Sequence, residues 1–221
     1  MPSGKRHFWP QDLLDEARPY LNERKLRLIS CAYAREQILH LTREVRELTI
    51  HMAEKFIAEE IDATQLEEAR DDAAQLVAGI QIYDLDPEAT RAARFALATT
   101  HEDAYTSAYL GTMDDTGRRL TDSRERVRKR QLIILRDLVE GEILEVPIDP
   151  MWLLSEDGVV KRLAASVYVQ RSWDAMPILA DALEDVGCTD ERILTHCREQ
   201  GEHFRGCWVL DHLLFSASLI Q

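Results

Sequence analysis

The sequence predicts an all-α protein, a compact assembly of about ten amphipathic helices with short connections and little or no β-sheet. Three observations lead there. Apolar residues recur at three- and four-residue spacing through most of the chain, which is the period of a helix that buries one face. Only 7 prolines and 9 glycines are spread over 221 residues, too little turn chemistry for a sheet. Hydrophobic residues at 45% and charged residues at 30% are the balance of an ordinary globular chain that buries a core without cross-links.

Taken in order, Leu26, Ile29, Ala32, Tyr33, Ile38 and Leu41 draw the first stripe, with Asn22 ahead of it. A second helix is expected over 43–60, with Val45, Leu48, Ile50, Met52, Phe56 and Ile57 inward. Thr64, Gln65, Leu66 and Glu67 spell a capping box, in which hydroxyl and carboxylate each satisfy a backbone N–H, so a helix should run from there to about Gly79. Asp86 before Pro87 is another start signal, because proline's missing donor costs nothing in a first turn. The alanine-rich stretch that follows lets helices approach closely. After a loop-like GTMDDTG at 111–117, a helix is expected over 118–140. Val146, Pro147, Ile148, Asp149 and Pro150 cannot be helical throughout, which divides the chain into an N-terminal region, 1–145, and a C-terminal region, 146–221. Helices then follow at about 158–172, 176–186, 190–199 and 207–219.

Charge and cysteine usage narrow the function classes. A formal net charge of −13 keeps the chain soluble and disfavours nucleic acid and anionic lipid. The N-terminal stretch lacks the apolar run of a secretory signal, and LIIL at 132–135 is far too short to cross a bilayer, so a cytoplasmic protein with no membrane partner is expected. The four cysteines, Cys31, Cys188, Cys197 and Cys207, are distributed unlike a disulfide framework and read as reduced thiols.

The stretches DPMWL at 149–153, MPILADALEDVGC at 176–188, ILTHCR at 193–198 and HFRGCWVLDHLL at 203–214 resemble a paralogous family from planctomycete genomes. A weaker echo lies in KLRLISCAYAR at 25–35. The resemblance implies no activity, cofactor or catalytic residue. The family's cysteine-rich patch is reduced here to Cys31.

Several features could carry chemistry. Cys188, His196, His203 and Cys207, with Cys197 and His212 nearby, are the residue types zinc prefers. Against a site stand the missing CxxC pair and the adjacency of His196 and Cys197, which point about 100° apart on a helix. The packing alternative makes Gly187 the left-handed residue after a helix and Cys188 the apolar side chain that folds back onto the last turn. The run from Arg118 to Arg130 holds seven basic and two acidic residues. Arg124 and Arg128 share a face there, but no aromatics interleave to stack on bases. An intramolecular contact with the acidic stretch around Glu59–Asp72, or an acidic partner, is the expected use. The carboxylates at Asp181, Glu184 and Asp185, and at Glu67, Glu68, Asp71 and Asp72, read as solvated helix faces. No GxSxG elbow, GxxxxGK[ST] loop or GxGxxG turn is present. His203, Arg205 and Trp208 would anchor a partner if the HFRG segment were an exposed loop, and would otherwise close the core.

These observations favour a noncatalytic protein–protein interaction module or an accessory subunit of a larger assembly, with no cofactor. The alternatives are a structural or regulatory zinc protein built on the C-terminal cysteines and histidines, and an enzyme with an unfamiliar helical active site.

Overall fold

The computed structural model describes residues 9–83, 87–112, 122–154, 156–199 and 201–215. Helices dominate the described residues, and no strand occurs among them. No helix there is long and apolar enough to cross a membrane. The chain forms two compact units that divide between Leu135 and Arg136, inside a helix and upstream of the proline-containing stretch 146–150.

The first unit opens with α1 (Pro10–Ala17) and α2 (Glu23–Arg35). Asn22 caps α2 by accepting from the Lys25 N–H at 2.8 Å. Leu26, Leu28, Ile29, Tyr33 and Ala34 of α2 are buried, and so is Arg27. That guanidinium is tolerated because it donates to the carbonyls of His101 and Glu102 at 2.8 and 2.9 Å and to Glu23.

The helix expected over 43–60 is present in three pieces: α3 (Arg43–Arg46), one wide π turn (Glu47–His51) and α4 (Met52–Ile57). The Thr49 hydroxyl donates to the Val45 carbonyl at 2.5 Å, a side-chain competitor for the backbone ladder that loosens this turn. The turn rotates the buried face. Val45, Thr49, Ile50 and Ala53 are inside, while Leu48, Met52, Phe56 and Ile57 are only partly covered.

Helix α5 (Ala63–Tyr83) starts one residue before Thr64. The capping box sits two positions upstream of the one read from sequence: Gln65 N–H donates to Asp62 Oδ1 at 2.9 Å, and Asp62 N–H to Gln65 Oε1 at 3.1 Å. Both tetrads fit the pattern, and the charged acceptor at Asp62 caps more strongly than a hydroxyl. Helix α6 (Pro87–Ala98) begins at the predicted proline, and its Ala92, Ala93 and Ala96 are fully buried. Asp86 lies outside the described residues, as does the loop expected at 111–117 beyond Thr112. Helix α7 (Ala104–Thr112) was not foreseen; it packs along α2, with Gly111 beneath the Tyr33 ring.

Helix α8 (Asp122–Ile143) leads into the second unit, which continues with α9 (Pro150–Leu154), α10 (Val159–Gln170), α11 (Met176–Asp185), α12 (Glu191–Arg198) and α13 (Trp208–Phe215). Its core gathers Val160, Ala164, Val167, Met176, Leu179, Leu183, Ile193, Cys197, Val209, Leu210 and Leu213. Helix α11 ends as the sequence predicts. Gly187 has φ +92°, its N–H donates to the Glu184 carbonyl, and the Cys188 N–H donates to the Leu183 carbonyl, both at 2.9 Å. That is the double bond of a Schellman motif, and Cys188 folds back into the core at 2% exposure.

Gly141 lies in the last turn of α8 and not at the left-handed position beyond its end where glycine is favoured. The reason is the Trp208 ring against it: a Cβ there would lie 2.1 Å from the indole. Gly141→Ala is expected to lower stability by about 3 kcal/mol, the upper end for overpacking, and a urea midpoint shift without a change in slope would measure it.

Candidate metal centre

Four polar side chains converge inside the second unit. Asp137 comes from α8, His196 from α12, His203 from the connection after α12, and Cys207 from the residue that caps α13, where its carbonyl accepts from the Asp211 N–H at 2.9 Å. Gly206, with φ +98°, turns the chain between the last two. One donor atom from each lies within 4.8 Å of all the others. Asp137, His203 and Cys207 are buried, and His196 is nearly so.

Asp137 is the hub. Its Oδ1 lies 2.8 Å from His203 Nδ1 and 3.2 Å from His196 Nε2, and its Oδ2 accepts from the Phe204 N–H at 2.8 Å. Burial penalises the carboxylate charge, yet the hydrogen bonds from His196 and His203 outweigh it and hold the carboxyl below its usual range. Cys207 Sγ lies 3.2 Å from His196 Nε2 and 3.8 Å from His203 Nδ1. Burial pushes this thiol well up and the Asp137 charge adds to that, while the Leu210 and Val209 N–H groups pull the other way. With no cation beside it the thiol form is favoured, and a coordinating divalent ion would reverse that by taking the thiolate.

Four of the six donor-to-donor edges can be set beside those of a tetrahedral ion. Zinc bonds of about 2.0–2.1 Å to nitrogen and oxygen and about 2.3 Å to sulfur give tetrahedral edges of roughly 3.3 Å between N and O and roughly 3.5 Å between N and S. The observed edges to sulfur, 3.2 and 3.8 Å, bracket the second value, and those to oxygen, 2.8 and 3.2 Å, fall short of the first. Among the described residues the polar contacts of His203 run through Nδ1, its Nε2 being buried without a partner there.

A second layer surrounds the cluster. The Trp208 indole N–H donates to His196 Nδ1 at 3.1 Å, which places the imidazole hydrogen on Nε2, facing Asp137 and Cys207. His212 stacks edge-on against Trp208 and lies 2.9 Å from Glu142.

Of the sequence candidates, His196, His203 and Cys207 come together and Cys188 does not, its place being the Schellman turn. Cys197, one residue from His196, points into the core, where burial pushes its thiol up to about 12. Asp137 was missed. Its signal was a carboxylate on the apolar stripe of α8, three residues after Ile134 and four before Gly141.

The partner-contact candidates change character. His203 and Trp208 are 6% and 2% exposed, so the HFRG segment is folded inward rather than offered to a partner. Arg205 lies over the Tyr168 ring at 5.8 Å. Arg128 is largely covered, paired with Glu125 at 2.6 Å and placed over the Trp9 ring. Arg130 pairs with Glu36 at 2.5 Å. The Arg124 side chain lies outside the described residues. Asp181 and Glu184 are exposed and hold Arg198.

No family model, curated protein or solved structure matches the chain, so the assignment of this centre rests on its own geometry.

Proposed function

We propose that this is a zinc-binding protein whose C-terminal unit holds one ion through Asp137, His196, His203 and Cys207, in a structural or regulatory role. The observation that carries the reading is the convergence of four donor atoms within 4.8 Å inside a folded core. A mixed oxygen, nitrogen and sulfur set suits a borderline-soft ion. Two anionic ligands cancel the charge of a divalent ion, which a buried site requires. Four protein ligands leave no open position for a substrate, which is the pattern of structural rather than catalytic zinc.

Zinc titrated into chelator-treated protein is expected to bind at about one per chain and to raise the melting temperature. An ion on His196 Nε2 moves the ring hydrogen to Nδ1, which can then no longer accept the indole N–H. Loading is therefore expected to break the Trp208–His196 bond and change tryptophan fluorescence. Cobalt in place of zinc is expected to show thiolate charge-transfer absorption, lost in Cys207→Ser and kept in Cys188→Ala. A melting temperature unmoved by zinc, with no cobalt–thiolate band, would reduce the cluster to a buried polar hub.

A further inference from the structure

The first unit contains a cavity of about 600 Å³ between α5, α6 and α7, within the range of small-molecule sites. Its apolar wall is formed by Ala74, Phe95, Ala98 and Leu110. Phe95 and Ala98 are buried, whereas Leu110 stands at the mouth, 38% exposed. Arg91 and Arg94 also line it and, three residues apart on α6, share one helical face.

Arg91 is the unusual member. Its Nε is buried and finds no hydrogen-bond partner among the described residues. The Glu88 carboxylate, half exposed, is 3.9 Å from a different nitrogen. A guanidinium donor withdrawn from water without an acceptor is costly, and such an exception in a folded protein calls for an explanation. Arg70, which lines the cavity from α5, is already engaged by Glu67 and Asp71 at 3.2 and 3.7 Å. The Arg91 side chain is 19% exposed, so a mostly covered cation borders an apolar chamber.

We propose that this cavity binds a small carboxylate with an apolar body: the Arg91 guanidinium donates to the carboxylate, and Phe95, Ala98 and Leu110 hold the body. Planar guanidinium against planar carboxylate is the pairing that the terminal nitrogens of Arg91 would make. The site shares no residue with the zinc centre and stands or falls apart from it.

The test is a titration of the full chain with octanoate, with octanol and with acetate, followed by NMR or calorimetry. Octanoate is expected to bind at least about tenfold tighter than octanol, a difference of about 1.4 kcal/mol, and acetate not measurably. Arg91→Gln is expected to abolish the preference for octanoate over octanol, and Ala74→Phe to weaken both by filling the chamber. Equal affinity for octanoate and octanol, or a preference unchanged in Arg91→Gln, overturns the proposal. Should Arg91→Gln fail to fold, octanoate affinity unaltered by Ala74→Phe overturns it equally.

Discussion

Trp208→Ala is expected to destabilise the protein by about 3–5 kcal/mol, as for a fully enclosed aromatic truncated to a methyl group. The ring is 2% exposed and lies against Gly141, a position kept free of a side chain for it. It also touches His196 and His212, with ring centroids 5.0 and 5.6 Å away. Truncation would open a cavity lined by backbone and imidazoles, which have no means of closing over it. Trp208→Phe is expected to cost less, since it keeps most of the packing and loses the hydrogen bond to His196. Urea denaturation of the two variants separates packing from hydrogen bonding. A midpoint unchanged in Trp208→Ala would place the ring outside the cooperative core.

Asp137→Ala is expected to cost a similar amount, about 3–5 kcal/mol, even with chelator present. The carboxylate accepts from the Phe204 N–H and faces two imidazoles, and alanine would strand all three in a site that excludes water. Asp137→Asn keeps an acceptor for Phe204 and is expected to fall between alanine and the parent. With zinc added, the parent should gain stability and neither variant should. Equal stability of Asp137→Ala and the parent in chelator would mean that the cluster is hydrated and open.

Much of the architecture was legible because it depends on local periodicity and termination. Pro87 opens a helix, Gly187 closes one, and the helices after residue 150 lie where the apolar spacing puts them. Where two local patterns competed, sequence alone could not choose. Asp62 and Thr64 each begin a capping box, and the decision went to the stronger acceptor. The π turn at Glu47–His51 was hidden because Thr49 counts as a neutral helix residue until its hydroxyl finds the Val45 carbonyl.

The site was legible by residue type and illegible by geometry. His196, His203 and Cys207 stood out as ligand chemistry, but the sequence holds no periodic rule that aims an imidazole from α12 at a carboxylate on α8. Asp137 looked like one acid among 40. Its burial is a property of the packing between helices, which no spacing within α8 records. The same packing explains why His203 and Trp208, plausible anchors for a partner when read as a loop, turn out to be interior groups.

The donors divide unevenly along the chain. His196 and Cys207 are eleven residues apart with His203 between them, whereas His203 and Asp137 are 66 apart. Bringing the first three within reach of one another closes only a short loop, and the conformational cost of closure grows with the length enclosed. The tail can thus gather three quarters of the cluster by itself, and the arrival of α8 is the event that latches it.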